Sequence, residues 1–502
     1  MERYLTIAAR IALGIALSAC AANTPASPNT NSSHSILLAA GHSITLAQTT
    51  PLEAVSAAAQ PNLARDDPSG YSYLAQSGDT LPAVAARFGV TLTQIVSANP
   101  TQPPAEFLSP GAALFIPGIA LGQLTPFRII PDSEFVRGPE SASFDTRAAV
   151  EQFGGWLSTR TDTLTINTII SYEPAWRIIL ASAQHYSISP RLLLALLEYR
   201  AGVLRGPLAD ETLAEYPFGL IDFRYSRLER QLIWVAEKLN GGYYGWRAGS
   251  LSSVTLADGA LRPLDPRLNA ATAALHVLFA QFLSADDFDR AIGPRGFAST
   301  FQTLFGDPFA RESAVIPGNL RQPPLSLPFD REASWSFTGG PHPAWWNSEP
   351  LAALDFAPPL AGSGCAESSE WVTAMADGVV SRIEEGVLVL DLDGDGLEQT
   401  GWNIVYIHLL TDSTVAVGQR VRGGEPLGKP SCAGSQYATG THIHVARKFN
   451  GEWIPVSDTT PFVLSDWVAQ TASQSYRGVL INRLTGREIV ACACATETNR
   501  IP

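Results

Sequence analysis

The period of the apolar positions changes four times along the chain, and each change predicts a different kind of structure. Residues 11–19 are a continuous apolar run preceded by Arg3 and Arg10. Residues 21–70, rich in Ala, Ser, Asn, Thr and Pro, hold no period and predict a flexible linker. Over residues 71–118 a strand begins at Tyr73 and Leu74. Leu81, Val84, Ala85 and Phe88 then follow helical spacing up to Gly89. Leu92, Ile95 and Val96 mark a second helix that Asn99-Pro100 closes, and Leu114 to Pro117 returns as a strand. Between 124 and 320 three-to-four spacing recurs at 178–183, 191–199, 228–239 and 268–283, which predicts an all-α domain. A proline-rich stretch at 317–328 marks a linker. Beyond it, short apolar segments at 371–374, 379–383, 387–392, 404–409 and 441–446 lack intervening helices and predict an antiparallel sheet. The predicted fold is therefore multidomain: a small α/β module at 71–118, a helical domain at 124–320, a β domain at 329–470 and a C-terminal extension at 471–502.

Composition narrows the class. A chain of 502 residues exceeds one core. A net charge of −13 argues against nucleic acid as a partner. The run at 11–19 is shorter than the roughly 20 residues that span a bilayer and reads as an export signal. Its end, Leu17-Ser18-Ala19-Cys20, resembles the lipobox of bacterial lipoproteins, which implies lipidation of Cys20 and a membrane anchor. Ordinary cleavage after a small residue is the alternative. Export permits disulfides, and the other four cysteines are Cys365, Cys432, Cys492 and Cys494. None stands in a CxxC array, which argues against structural zinc on cysteine.

The strand–helix–helix–strand order at 71–118, with Gly78-Asp79-Thr80-Leu81, Arg87-Phe88-Gly89, Asn99 and Leu114 to Gly118, resembles a LysM module along its full length. The resemblance implies binding to N-acetylglucosamine-containing glycan such as peptidoglycan, with Gly78, Asp79, Thr80 and Asn99 at the groove. Asp79 and Asn99 read equally well as a helix cap and a turn former. In the helical domain, the segment from Tyr186 to Gly202 is similar to lysozyme-like lytic transglycosylases. Arg200 stands where their catalytic acid belongs, with Glu198 directed elsewhere, and an arginine does not donate a proton near neutral pH. The expectation is a spacer or docking domain without glycosidic cleavage, or a bundle with no such ancestry. Trp234, Tyr243, Tyr244 and Trp246 fit either a sugar-stacking surface or a core.

Only eight histidines occur, and His442 and His444 stand two apart in an apolar run. Strand periodicity puts both rings on one face, as a divalent-metal site or a surface pair. Three further elements precede them: Gly339-Gly340-Pro341-His342, Leu354-Asp355-Phe356 and Tyr406-Ile407-His408. In this order they resemble zinc endopeptidases of the lysostaphin and LytM type, and the wide gap between His342 and Asp355 is similar to the β-lytic branch. The resemblance implies one catalytic Zn2+ on His342, Asp355 and His444. It leaves His408 and His442 for catalysis, one taking a proton from water and one donating to the developing oxyanion.

Several features stand beside the site. Trp345 and Trp346 either line the cleft or anchor a loop. Cys365 and Cys432 are expected to pair, whereas Cys492-Ala493-Cys494 is too close for an easy bridge. Asp391-Leu392-Asp393-Gly394-Asp395-Gly396 imitates the start of an EF-hand loop, but position twelve is Trp402, so a long hairpin loop is the expectation. Together these readings describe an exported, lipid-anchored endopeptidase of the cell envelope. LysM would hold it on glycan, and its substrates would be the stem or bridge peptides of peptidoglycan, with glycine-containing bridges implied by the β-lytic resemblance. The alternative is a non-catalytic LytM-like regulator of another murein hydrolase.

Overall fold

A strand pair closes the first module: Gly70–Leu74 runs antiparallel to Ala113–Pro117. Between them lie helices Leu81–Phe88 and Leu92–Ala98. Thr80 caps the first helix by accepting from Ala83 N, and Gly89, with φ 69°, ends it in the left-handed region. Leu81, Val84, Ile95, Leu114 and Ile116 fill the core. The computed structural model describes residues 70–122, 125–166, 169–330, 332–359, 364–434 and 438–501. The export run, Cys20 and residues 21–69 of the linker lie outside the described residues.

The middle region is built around helices Ala175–Tyr186, Pro190–Ala201, Leu228–Ala248 and Ala270–Ala280. It departs from the all-α expectation in two antiparallel hairpins, Thr161–Ile166 with Ile169–Pro174 and Ser253–Thr255 with Leu261–Pro263. The first is a Thr- and Ile-rich run, and β-branched side chains suit a pleated surface better than a helix. Trp234, Tyr243, Tyr244 and Trp246 are buried, so they pack the core and form no stacking surface. Glu198 is spent locally: it accepts from Leu204 N and Arg205 Nε, while Arg200 lies over the Phe282 ring.

In the C-terminal region the main antiparallel sheet runs in the order Arg420–Val421, Gly378–Glu384, Gly386–Asp391, Trp402–Leu410, Ile443–Phe449, Ser348–Ala357, Ser336–Trp345. Alternation explains its packing. Leu354, Phe356, Leu388, Leu390, Ile404, Tyr406, Ile443 and Val445 face one core. Ala353, Val387, Val389, Val405, Ile407 and Ala446 join the core of the helical region. Both faces are thus covered, which is why these strands are apolar at nearly every position. A four-stranded sheet, Phe462–Leu464, Trp467–Thr471, Gly478–Asn482 and Glu488–Val490, crosses residue 470 and leans on Ser336–Trp345. The helical region is fastened to the sheet by polar contacts as well: Tyr243 Oη donates to Glu452, Trp453 N donates to Tyr244 Oη, and Arg137 pairs with Glu398. Among the described residues no single helix is long and apolar enough to cross a membrane.

Candidate metal centre

Register assembles the site. His444 stands directly opposite Asp355 across the pair formed by Ile443–Phe449 and Ser348–Ala357, so their side chains share a face. His342 comes from the neighbouring strand, opposite Ala353. The sequence between His342 and Asp355 is therefore a β-hairpin turning at Trp345–Ser348, not a loop insertion. Its Gly, Pro and irregular register hide it from pattern reading, since the pairing shifts four times between Phe337 and Trp345. Gly339 is needed for closeness: a Cβ there would meet Asp355 Oδ2 at 2.4 Å.

His342, Asp355 and His444 are buried and bring one ligand atom each within 4.8 Å of the others. His342 Nε2 lies 3.0 Å from His444 Nδ1, and Asp355 Oδ1 lies 3.2 and 3.3 Å from those nitrogens. The second ring nitrogens decide the chemistry. His342 Nδ1 faces Gly340 O at 2.8 Å and His444 Nε2 faces Ala344 O at 3.2 Å. A carbonyl only accepts, so these nitrogens carry the protons and the neutral rings turn lone pairs inward. Asp355 Oδ1 is buried and, despite the short approaches, has no hydrogen-bond donor. Two lone pairs and an anionic oxygen crowded together repel one another unless a cation sits among them. Two imidazoles and one carboxylate are also the donor set of an open catalytic zinc site, so the residues fit that ion.

His408 and His442 stand beside this group, with ring centroids 4.4 Å apart and His442 Nε2 3.7 Å from Asp355 Oδ1. Each holds its Nδ1 on a carbonyl at 2.8 Å, His408 on Ala433 and His442 on Gly440, leaving both Nε2 atoms free as acceptors. His408 sits at a register shift inside its strand, between Ile407 and Leu409, at φ 66°, a conformation that costs a non-glycine residue about 1–3 kcal/mol and is typical of functional positions. Burial, with His442 and His444 nearby, pushes His408 down to about 3, so its ring is neutral at neutral pH. Burial likewise lowers His444.

One contributor carried no signal in the sequence. Tyr476 stacks on His342, centroids 4.1 Å apart, and its backbone pairs with Gly340 and Pro341. It lies 134 residues from His342 in a segment without a motif, so only the fold reveals it. Trp345 is buried and stacks on His185 of the helical region at 4.1 Å, anchoring the hairpin. Trp346 faces a cavity of about 720 Å³ together with His185, Cys365 and Cys432. Cys365 is bonded to Cys432, with Cα atoms 5.7 Å apart. Against expectation Cys492 is bonded to Cys494: the chain bends there to a Cα separation of 5.1 Å, inside the range a disulfide bridges.

In the first module Asp79 is buried, accepting from Tyr73 Oη and Arg87 Nη2, and Asn99 is buried on Ile95 O and both backbone groups of Phe115. Gly78 and Thr80 line a cavity of about 550 Å³ shared with Tyr244, Arg247, Glu452 and Trp453.

Comparison with known proteins adds lineage to this geometry. Residues 73–117 match the LysM domain, and residues 128–317 match the N-terminal domain of LasA. Protease LasA from two Pseudomonas aeruginosa strains, UCBPP-PA14 and PAO1, is 26% identical over 362 residues, covering 66% of this chain and 77% of LasA. Among solved structures, the deep-sea M23 metalloprotease pseudoalterin aligns over 34% of this chain and 96% of its own, at 20% identity and TM-score 0.28. The catalytic domain of lysostaphin from Staphylococcus simulans aligns over 25% and 89%, at 23% identity and TM-score 0.18. Two domains are thus matched in order, LysM and the N-terminal domain of LasA, and the chain is similar to protease LasA over a run that takes in most of both chains.

Proposed function

We propose that this protein is an exported endopeptidase that hydrolyses peptide cross-links of peptidoglycan. The observation that carries the reading is the inward crowding of the His342 and His444 lone pairs on the donorless Asp355 oxygen, with two further imidazoles alongside. A zinc ion held by His342, Asp355 and His444 would supply Lewis-acid activation of water and of the scissile carbonyl. The chain's own residues do the rest. Gly340 O and Ala344 O fix the tautomers of the two histidine ligands. His408 and His442 present free Nε2 atoms, one to take the proton of the attacking water and, once a ring is protonated, one to donate to the oxyanion. A non-catalytic regulator would not need five such groups set in these tautomers.

The LysM match supports glycan as the anchor, which raises the local concentration of peptide at the metal centre. Gly78 and Thr80 are the proposed contacts, while Asp79 and Asn99 shape the two loops from inside. Lipidation of Cys20 is the proposed membrane tether. The middle region serves as a scaffold on the sheet, with Glu198 engaged locally and not poised for glycosidic cleavage.

The test pairs zinc content with muropeptide mass spectrometry of digested cell walls. Wild type is expected to hold one zinc and release cross-link fragments. His408→Ala is expected to keep the zinc and lose at least about a hundredfold in rate. Equal wall clearance by wild type and His444→Ala would end the proposal.

A further inference from the structure

The acidic hairpin loop lies away from the histidines and has no part in the reaction above. It joins Gly386–Asp391 to Trp402–Leu410, and Asp391, Asp393 and Asp395 bring one carboxylate oxygen each within 4.8 Å of the others. Among the described residues no Lys, Arg or His is paired with any of the three. Arg420 donates to the Gly394 carbonyl. Burial, a hydrogen bond with Asp391 and the Asp391 and Asp395 charges push Asp393 up to about 6. Turn bonds alone, such as Gly396 N to Asp391 Oδ2 at 2.7 Å, would account for the loop's shape.

Asn403 is not accounted for in that way. It stands directly opposite Asp391 in the strand pair, so the two side chains share a face, and both are fully buried. Its Nδ2 donates to Thr400 O at 2.8 Å, which turns the amide towards the loop and fixes its orientation. The other end, Oδ1, is buried at the base of the loop with no donor. An orphaned buried acceptor costs about 1–3 kcal/mol, and here it stands beside Asp391, one of three clustered carboxylates without a paired cation. An all-oxygen set of carboxylates and an amide on a glycine-bearing loop is calcium chemistry.

We propose that this loop binds one Ca2+ through the carboxylates of Asp391, Asp393 and Asp395 and through Asn403 Oδ1. Water and loop carbonyls complete the six to eight oxygens that the ion takes. The missing glutamate at position twelve is replaced in this arrangement by the asparagine one residue further on, reached because the loop closes a hairpin and not a helix pair. The ion would stiffen the loop that carries Glu398, the partner of Arg137 in the helical region.

The experiment uses the full chain, loaded with zinc and freed of calcium by ion exchange. Ca2+ is titrated by calorimetry and thermal melting. Tb3+ is titrated separately, with emission excited through Trp402, whose carbonyl accepts from Leu392 N at 2.9 Å at the base of the loop. Expected are one Ca2+ per chain at sub-millimolar to millimolar affinity, a raised Tm and Tb3+ emission. The double variant Asp393→Asn, Asp395→Asn, altered at solvent-exposed positions, should keep its zinc and lose all three responses. Asn403→Ala should weaken Ca2+ by roughly tenfold or more. Absence of heat and of Tb3+ emission in wild type up to about 10 mM Ca2+, a range that covers the weakest known protein sites, overturns the proposal. So does a response that survives in the double variant.

Discussion

Glu398→Gln removes the charge that ties the helical region to the histidine-bearing sheet while keeping the side chain's shape. Glu398 is buried against Arg137 of the helical region and lies 3.1 Å from Arg382 Nε, with Lys448 also nearby. Burial opposes its ionisation, but Arg382 and Arg137 outweigh that and hold it down at about 2, against an ordinary 4.5. That fall corresponds to about 3 kcal/mol in favour of the folded state. A direct Coulomb figure at 3.1 Å with an effective dielectric near 20 is about 5 kcal/mol before desolvation is subtracted, so about 3 kcal/mol net is consistent. Arg382 keeps Glu384 at 2.7 Å in the variant, so Arg137 is the cation left without its anion. Because the folded value is depressed, the contribution is complete above about 4.5 and is lost as pH falls towards 2. Urea denaturation followed by tryptophan fluorescence should show the variant about 3 kcal/mol weaker at pH 7, with most of the difference gone at pH 2.5. A difference below about 1 kcal/mol at pH 7, or one equally large at pH 2.5, would refute the reasoning.

Other outcomes follow from particular contacts. Tyr476→Ala removes the ring stacked on His342 and should weaken zinc retention about tenfold or more, as measured against a competing chelator; Tyr476→Phe should restore it, because stacking needs no hydroxyl. Joint replacement of Cys365 and Cys432 by serine opens a 67-residue separation and should cost about 4 kcal/mol, read as a lowered melting temperature that wild type matches under reductant. On chitin or peptidoglycan beads the protein should be retained through its LysM module, and passage through both would remove that module's proposed role.

Local pattern was enough for elements whose hydrophobic period is clean. The helices Leu81–Phe88 and Leu92–Ala98 appear where the spacing puts them, because capping residues and glycine stops are local chemistry. The strands around His408 and His444 were legible for the same reason. The hairpin bearing His342 and Asp355 was not, since its glycines and prolines signal a loop and only pairing with Ile443–Phe449 overrides them. Extension of helices was also underread: Leu228–Ala248 continues through Gly241 and Gly242 because Gly242 packs closely on Ala274 of the adjoining helix.

What the sequence determined by itself was the set of chemical types. Two imidazoles in strand spacing, a third after GGP, a carboxylate between apolar residues and an acidic DxDGDG run are identities that no fold alters. Tertiary structure decided which of them meet and in what state. Register alone sets Asp355 against His444, carbonyl partners alone point the lone pairs inward, and burial alone leaves Asp355 Oδ1 and Asn403 Oδ1 without donors. Those are consequences of chain segments tens to a hundred residues apart closing on one another, and distance of that kind leaves no periodicity to read.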